Sequence, residues 1–391
     1  MLVADCWLPN AGDAAIALAT DRLVRQVAPK AAVLHAAYGY DVLASTYPEL
    51  ALVPPLDALL GIEGAVPLPA GWSPRAAAAI TRDADVVLSQ GGGFLVEAYQ
   101  PWTRIAAHAE VLRRELPLMI VGQTIDRFDT ASWRSLLGHV LRASQLVAVR
   151  DPGSMLNALE LGADPGRVAL TSDLTLTLFD APPPDPPGRG VGVVLSDHRA
   201  RLAGRGNGLA ESGAVLRAVV DAAPDDPITL FSTVQGLRAH GLEDDGAIAE
   251  AAAATLGPDE RRRVRVVDGY VSACDAVRHA AGQRAVVTQR LHPGIFALAS
   301  GVPAALLVGE EIDVLHGVVL DAATLPHGSP VDARRAIRAA LDPTARRGHR
   351  LWSTLEPARA GAARAADLVG AHFHELGWPV TTPPREASGA R

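Results

Sequence analysis

The sequence predicts an α/β protein built from two doubly wound, Rossmann-like domains. In the first half of the chain, short apolar runs alternate with helical patterns. A proline-rich segment at residues 179–190 then interrupts this alternation, and the same pattern resumes after it. Strands that alternate with helices indicate mostly parallel sheets covered by helices. A high density of prolines favours an extended chain, so this segment is predicted to be a linker between two domains.

The first half contains six apolar runs of strand length, separated by helical patterns. The predicted strands are Leu2–Cys6, Ala31–Ala36, Val86–Ser89, Leu118–Gly122, Leu146–Val149 and Val168–Leu170. The predicted helices are Ala14–Val27, Tyr99–Leu116, Ser132–Ala143 and Gly153–Leu161. This order predicts one parallel sheet wound on both faces.

The second half repeats the pattern. Its predicted strands are Val191–Leu195, Ile228–Ser232, Val264–Val267, Ala285–Thr288 and Ala304–Val308. Its predicted helices are Leu209–Ala222, Ala247–Leu256, Ser272–Ala280, Gly294–Ser300 and Val331–Leu341. The sequence therefore predicts a second domain of the same class.

The domain boundaries follow from these elements. The prediction is an N-terminal domain at 1–178, a linker at 179–190, a C-terminal domain at 191–345, an alanine-rich helical segment at 346–378 that packs back on the first domain, and a disordered tail at 379–391. Two such domains place the carboxyl ends of their sheets face to face across a cleft, which is a GT-B-like arrangement.

Composition excludes several classes of function. The net charge of −7 argues against a nucleic-acid-binding surface over the whole molecule. Lys30 is the only lysine and has no glycine-rich loop around it, which disfavours pyridoxal phosphate chemistry and a P-loop. Two cysteines, Cys6 and Cys274, are too few for a disulfide framework or a structural zinc site. No signal peptide or membrane-spanning run is found, so we expect a cytoplasmic protein. No residues are assigned as metal ligands, and the sequence leaves the metal requirement open.

Two glycine-containing segments follow predicted strands in the first domain. Asn10, Gly12 and Asp13 open the first helix, where Asp13 can cap the helix and the free amides can bind an anion. The three consecutive glycines Gly91, Gly92 and Gly93 can bring backbone amides close to a ligand. An ordinary strand–helix turn and a flexible loop are the alternatives.

Further polar residues follow later strands of the same domain. Gln123 and Arg150 lie at strand ends, and Ser154 follows on the next helix. An arginine there can bind a phosphate or carboxylate with paired donors, and Asp173 can orient it. The alternative is a surface ion pair between Arg150 and Asp151.

The strongest constellation is the run Thr288 to Gly294, which reads TQRLHPG. An apolar strand delivers Arg290 and His292 to its carboxyl end, and a helix begins immediately after them. A guanidinium, an imidazole and the positive end of a helix together suit a dianion that must also receive a proton.

The order of these motifs resembles the polysaccharide pyruvyl transferase family. The segments NAGD, DVVLSQGGG, GQT, VRDPGS and RLHPGIFALASGVP follow the family's order from Asn10 to about Val308. The resemblance implies a GT-B-like fold and transfer of the pyruvate unit of phosphoenolpyruvate onto two hydroxyls of a sugar, giving a cyclic ketal.

The resemblance also implies roles for individual residues. Arg290 and His292, with Leu291 between them, belong to the phosphoenolpyruvate site, and Arg150 is a further anion contact. His292 would serve as acid and base, and Arg290 would hold the phosphate or carboxylate. Phosphoenolpyruvate is then a donor substrate, and no cofactor is needed. The acceptor, a sugar, sugar-lipid or small molecule, stays open because Gly309–Val319 contains no lysine, unlike the family.

Two other functions remain open. A nucleotide-sugar-dependent glycosyltransferase could use the same fold, with Arg290 and the helix start binding a diphosphate. A catalytically inactive binding or scaffold protein is the second alternative. A homo-oligomer is compatible with the sequence.

Overall fold

The computed structural model describes residues 1–69, 71–181, 188–197, 208–234, 244–307, 330–342, 344–345 and 347–380. Contacts divide the chain into two compact units. Unit 1 comprises Met1–Leu8, Ile16–Leu178 and the chain from Arg359 onward, and unit 2 comprises Pro9–Ala15 and Phe179–Ala358. Each unit contains a parallel sheet with helices, so the predicted α/β class with two Rossmann-like units is confirmed.

Within the described residues, unit 1 has an eight-stranded sheet. Its strands are β1 Leu2–Trp7, β2 Leu34–Tyr38, β3 Leu52–Val53, β4 Val87–Ser89, β5 Gly92–Leu95, β6 Leu118–Ile125, β7 Leu146–Val149 and β8 Val168–Leu170. The strand order is β3-β2-β1-β4-β6-β7-β8, with β5 paired to β6. All these pairings are parallel.

The helices along this sheet follow its strands in sequence. They are α1 Ala11–Val27, α2 Tyr40–Leu43, α3 Leu56–Leu60, α4 Pro74–Arg82, α5 Trp102–Arg113, α6 Ala131–Ala143 and α7 Pro152–Glu160. Local chemistry fixes several of their starts. The Asp151 carboxylate accepts a hydrogen bond from the Ser154 amide at 2.7 Å, and Pro152 occupies the first turn of α7.

Unit 2 repeats the design with a five-stranded parallel sheet in its described part. Its strands are β9 Val191–Val194, β10 Ile228–Leu230, β11 Val264–Val266, β12 Ala285–Thr288 and β13 Ala304–Leu306, in the order β11-β10-β9-β12-β13. The remaining helices are α8 Leu209–Ala222, α9 Asp245–Ala253, α10 Pro258–Arg261, α11 Ala273–Ala281, α12 Leu291–Ala299, α13 Pro330–Leu341, α14 Gly348–Trp352 and α15 Glu356–Glu375.

The strand order reverses once in each sheet. In unit 1 the chain builds outward from β1 on one side and from β4 on the other. In unit 2 the reversal lies between β9 and β12. Loops diverge at such a point and open a crevice at the carboxyl ends of the strands, where doubly wound proteins bind ligands.

The structure corrects the extent of several predicted elements. Gly92–Leu95 is a strand, so the alternative of a flexible loop at residues 91–93 is wrong. A Cβ on Gly91 would lie 2.7 Å from the Gly122 carbonyl oxygen, so glycine is needed there to bring two chain segments together. Helix α12 begins at Leu291 rather than at Gly294. Strand β3 and helices α2, α3 and α4 had not been predicted.

The grouping into units differs from the predicted domains at both ends of the chain. Residues 9–15 belong to unit 2 because the start of α1 hydrogen-bonds to the segment after β10. Helix α15 changes unit at Arg359, after which Gly361 packs against Ser172 in unit 1. Residues 182–187 of the predicted linker, residues 381–391 of the predicted tail and the segment Gly309–Val319 lie outside the described residues. Within the described part of the chain, no helix is both long and apolar enough to cross a membrane.

Two helical glycines should respond oppositely to the same substitution. A Cβ on Gly138 in α6 would lie 2.7 Å from the Leu161 carbonyl oxygen. A Cβ on Gly213 in α8 would meet no atom within 4 Å among the residues that the structure describes. Because alanine favours a helix by about 0.8–1 kcal/mol over glycine, we expect Gly213→Ala to stabilise the protein. Gly138→Ala should instead lower the midpoint of thermal unfolding, measured by circular dichroism. A stabilising Gly138→Ala would contradict this packing.

Candidate functional site

The carboxyl end of β12 lies at the point where the strand order of unit 2 reverses. The Gln289 amide donates to the Val194 carbonyl at the end of β9 (2.9 Å). The Gln289 side-chain oxygen accepts from the Ser196 amide at 3.1 Å and from the Ser212 hydroxyl at 3.0 Å. Gln289 therefore joins the ends of two neighbouring strands and fixes the segment that carries Arg290 and His292.

Arg290 is held in a defined orientation by a buried carboxylate. Its Nε and Nη2 atoms donate to the two Asp245 carboxylate oxygens at 2.9 and 3.0 Å. Asp245 is the first residue of α9 and is completely buried. The Thr288 hydroxyl accepts from the Arg290 amide at 2.9 Å and donates to its carbonyl at 2.7 Å. Both the backbone and the guanidinium of Arg290 are thus fixed at the N-terminus of α12.

His292 lies in the first turn of α12 and packs against the first turn of α1. A Cβ on Gly12 would lie 2.3 Å from Nδ1, 2.4 Å from Cγ and 2.7 Å from Cβ of His292. Only glycine permits this approach without displacing the imidazole. The His292 side chain is also buried, and Phe296 lies on another side with ring centroids 6.1 Å apart. The two sequence motifs that contain Gly12 and His292 therefore meet in unit 2.

The segment after β10 holds the start of α1 in this place. The Ala11 amide donates to the Thr233 carbonyl at 2.7 Å, and Asn10 forms an isolated antiparallel bridge with Val234. The Val234 carbonyl also accepts from the Asp245 amide at 2.9 Å. One short segment thus positions the α1 start beside His292 and the carboxylate that orients Arg290.

The cap of α1 differs from the prediction. The Asn10 side-chain oxygen accepts from the Gly12 amide at 2.9 Å, so Asn10 caps the helix. Asp13 lies inside the first turn and is buried. Helix α1 therefore begins three residues earlier than predicted, and the predicted capping role of Asp13 is wrong.

This arrangement brings together the groups needed to bind an anion and move a proton. Arg290 supplies a permanent positive charge, and His292 supplies an imidazole, the side chain that most often serves as a general acid or base. The N-termini of α1 and α12 both lie at the His292 ring, and helix N-termini attract anions. Leu291, also predicted to bind substrate, is buried as the first residue of α12.

The predicted residues at β7 form a buried network in unit 1. Arg150 donates from Nη1 to Asp173 at 2.7 Å and from Nε to the Thr124 hydroxyl at 2.9 Å. The Ser154 hydroxyl donates to Asp151 at 2.6 Å and accepts from the Ile125 amide at 2.8 Å. Arg150 is buried and pairs with Asp173, so the alternative of a surface pair with Asp151 is wrong.

Gln123 and the glycine run also have structural contacts in unit 1. The Gln123 side chain accepts from the Phe94 amide at 3.2 Å and donates to the Ser89 hydroxyl at 3.2 Å. Gly92 and Gly93 belong to β5, and Gly91 packs closely against Gly122. These residues therefore connect the carboxyl end of β4 and the start of β5 to β6.

Sequence reasoning missed Asp245. It is separated from Arg290 by 45 residues and directly follows Asp244, the N-cap of α9. An acidic residue at a helix start is ordinary, so its sequence context contains no sign of a site. Only the tertiary fold brings it to the guanidinium.

Comparison with known families decides the classification. The model of the polysaccharide pyruvyl transferase family matches residues 10–309. The chain belongs to this family. It is therefore a transferase, and the segments Asn10–Asp13 and Arg290–His292 both lie within the matched region. No curated protein matches the sequence significantly.

Several solved structures share the fold of this pyruvyl transferase family member. A putative UDP-N-acetylglucosamine 2-epimerase from Listeria monocytogenes is 14% identical with a TM-score of 0.62, covering 98% of each chain. S. aureus MnaA bound to UDP is 12% identical with a TM-score of 0.64, covering 97% of each chain. Anabaena Alr3699/HepE bound to UDP-glucose is 13% identical with a TM-score of 0.56, covering 96% of this chain and 98% of its own. At these identities the likeness establishes the GT-B-like fold.

Removing the Asp245 carboxylate should destabilise unit 2. Asp245→Asn removes the negative charge that pairs with the Arg290 guanidinium, whose side chain is 14% exposed. Breaking a buried ion pair on one side costs about 3–5 kcal/mol. We expect a loss of this order in urea unfolding. The matched control is Asp259→Asn, which removes an exposed partner of Arg262 and should change stability little. Equal effects of the two substitutions would contradict the assigned role of Asp245.

Proposed function

We propose that this protein transfers the pyruvate unit of phosphoenolpyruvate to two hydroxyls of a sugar or sugar-like acceptor, forming a cyclic ketal and releasing phosphate. The observation that carries the proposal is the placement of Arg290 and His292 where the strand order of unit 2 reverses, with Gly12 against the imidazole. Both motifs lie within the region matched by the family model.

The proposed reaction balances as an addition followed by a substitution. Carbon 3 of phosphoenolpyruvate gains a proton, and the oxygen of one acceptor hydroxyl forms a bond to carbon 2. The carbon–oxygen bond to phosphate then breaks as the second hydroxyl oxygen bonds to carbon 2. Of the two protons lost by the acceptor, one ends on carbon 3 and the other leaves with phosphate. His292 delivers the proton in this scheme.

Electrostatics support phosphoenolpyruvate as the donor. Its phosphate and carboxylate need fixed positive partners, and the Asp245 contacts hold the Arg290 guanidinium in one orientation. The N-terminus of α12 adds backbone donors beside it. Preorganised charge of this kind stabilises negative charge that moves onto the departing phosphate.

A nucleotide-sugar-dependent glycosyltransferase is the alternative that must be tested. Its usual requirement is an acidic side chain that holds the ribose hydroxyls. Asp245 is the buried acid beside Arg290, and both its carboxylate oxygens pair with that guanidinium. Because Asp245 orients Arg290 in this way, it is not placed to hold a ribose, which favours pyruvyl transfer over glycosyl transfer.

Binding of phosphoenolpyruvate should stabilise the wild-type protein and depend on Arg290. A ligand at 100 times its dissociation constant adds about 2.7 kcal/mol to the free energy of unfolding. We expect this thermal shift to disappear in Arg290→Ala. In His292→Gln the shift should persist while turnover, followed by phosphate release in the presence of a sugar panel, is lost.

The control for Arg290→Ala is Arg278→Ala in α11, which removes an arginine whose side chain is 75% exposed. That variant should retain the full thermal shift. A shift with UDP-sugars and none with phosphoenolpyruvate would overturn the proposal in favour of a glycosyltransferase. Normal turnover by His292→Gln would remove this histidine from the reaction.

Gly12→Ala should lower the catalytic rate with little effect on phosphoenolpyruvate binding. Its Cβ would lie within 2.7 Å of three His292 atoms, so the imidazole must move. A displacement of about 1 Å at a reacting group can reduce the rate on the order of 100-fold. We expect kcat to fall while the thermal shift with phosphoenolpyruvate persists. Gly213→Ala is the control for an alanine added at an open helical position, and a Gly12→Ala variant with wild-type kcat would contradict this role.

A further inference from the structure

The carboxyl end of β1 carries a buried charged cluster that the pyruvate-binding residues do not use. Asp5 adopts a left-handed backbone conformation with φ of 67°. Its carboxylate accepts from the Ser89 hydroxyl at 2.6 Å and from His108 Nε2 at 2.9 Å. A non-glycine residue with this φ stores strain, and such strain is concentrated at functional sites.

The protonation state of Asp5 follows from these partners. Burial opposes ionisation, but the charge and hydrogen bond of His108, the nearby Arg104 guanidinium and the Ser89 hydroxyl outweigh it. Together they lower the pKa of the Asp5 carboxyl below its usual value. Asp5 is therefore a carboxylate at neutral pH and can only accept hydrogen bonds.

Arg104 completes the cluster and lies among three aromatic rings. Its Nε is 3.6 Å from the Asp5 carboxylate. The guanidinium carbon lies 4.6 Å from the ring centroid of Phe94, 5.3 Å from that of Tyr38 and 5.7 Å from that of Trp7. We name Trp7, Tyr38, Phe94 and Arg104 the aromatic cage. Trp7 and Tyr38, whose ring centroids are 4.8 Å apart, are partly exposed.

The location of the aromatic cage is the expected one for a ligand in this sheet. Trp7 ends β1, Tyr38 ends β2, and Ser89 ends β4. The strand order of unit 1 reverses between β1 and β4. The cage therefore borders the crevice where a doubly wound sheet binds its ligand.

Two buried nitrogen atoms in this cluster indicate that polar partners are missing. Arg104 Nε and His108 Nδ1 have no hydrogen-bond partner among the residues that the structure describes. They lie four residues apart on α5, hence on the same helical face. A buried polar atom without a hydrogen-bond partner destabilises the folded protein, so a ligand that supplies the partner is favoured. A ligand hydroxyl can accept from Arg104 Nε, and a second hydroxyl or a water can hydrogen-bond to His108 Nδ1.

The charge balance selects the class of ligand. The positive charge of Arg104 is matched by Asp5, and Asp57 brings a second carboxylate that accepts from the Tyr38 hydroxyl at 2.6 Å. The cluster thus has no excess positive charge to attract a phosphate. Partly exposed aromatic rings suit the apolar C–H face of a sugar ring, and the polar atoms beneath them suit its hydroxyls.

We propose that the aromatic cage of unit 1 binds a neutral pyranose ring of the acceptor, which stacks on Trp7 and Tyr38 with its hydroxyls directed at Arg104 and Asp5. The role of this sugar as acceptor rests on the proposed pyruvyl transfer, whereas the binding of the sugar to the cage is independent of that proposal. Trp7 and Tyr38 are then specificity-determining residues.

The test uses the full-length protein and three methyl hexopyranosides of gluco, galacto and manno configuration, titrated by ligand-observed NMR. At least one should bind the wild type. Trp7→Leu should weaken this binding about tenfold, which corresponds to about 1.4 kcal/mol, because it removes the aromatic surface on which the sugar stacks. Trp7→Phe, which keeps an aromatic ring, should bind within a factor of about three of the wild type.

The matched control is Trp378→Leu, which removes another tryptophan of unit 1, stacked on Phe373. It should bind as the wild type does. The proposal is overturned if none of the three glycosides binds, if Trp7→Leu binds them unchanged, or if glucose 6-phosphate binds at least tenfold more tightly than the methyl glucoside. Circular dichroism melts establish that each variant is folded.

A parallel titration with phosphoenolpyruvate separates the two proposals. Trp7→Leu should retain the thermal shift with phosphoenolpyruvate, which depends on Arg290. Sugar binding without any response to phosphoenolpyruvate would overturn the proposed function and leave the sugar site standing. A thermal shift with phosphoenolpyruvate but no Trp7-dependent sugar binding would overturn the sugar site and leave the proposed function standing.

Discussion

Burying the Arg290 guanidinium requires a carboxylate beside it, and this requirement organises the candidate site. An unpaired buried charge is far more costly than any single hydrogen bond. Asp245 meets the requirement from the first residue of α9, and its amide is bound by Val234. Val234 also pairs with Asn10, just before α1. The same segment therefore positions both the Asp245 carboxylate and Gly12, which packs against the imidazole of His292.

The sheet topology explains why such groups accumulate where they do. Parallel strands end at one edge, and the reversal of strand order leaves a gap between the loops there. In unit 2 this edge holds Arg290, fixed by Gln289 between the ends of β9 and β12. In unit 1 the equivalent edge holds Asp5 between β1 and β4. The two units thus present different chemistry at corresponding places. In unit 2 an ion pair lies beside an imidazole and two helix N-termini, and in unit 1 an ion pair lies beside aromatic rings.

The sequence predicts the elements that are encoded locally. Buried parallel strands are continuous apolar runs, so β7 and β12 were predicted with their observed bounds. Gly92–Leu95 was missed because glycine disfavours strands, and its conformation depends on the contact of Gly91 with Gly122. The Arg290 and His292 motif is likewise local, whereas Asp245 joins it only through tertiary structure. For Arg150 the sequence indicated a strand-end arginine that Asp173 could orient, but it could not decide between this arrangement and a surface pair with Asp151. The structure contains the Asp173 pair.

Aromatic residues are scarce in this protein, so their clustering in the aromatic cage indicates a function other than core packing. Only 4% of the chain is Phe, Trp or Tyr, and the cores are built mainly from Ala, Val, Leu and Ile. A protein that packs its interior in this way has no general need to place Trp7, Tyr38 and Phe94 together at strand ends. Two of these rings are partly exposed, so part of the apolar surface they offer is not buried by the fold. Together with the strained Asp5 backbone and the unsatisfied nitrogens of Arg104 and His108, this exposure is accounted for by a ligand that covers the rings and supplies hydroxyls.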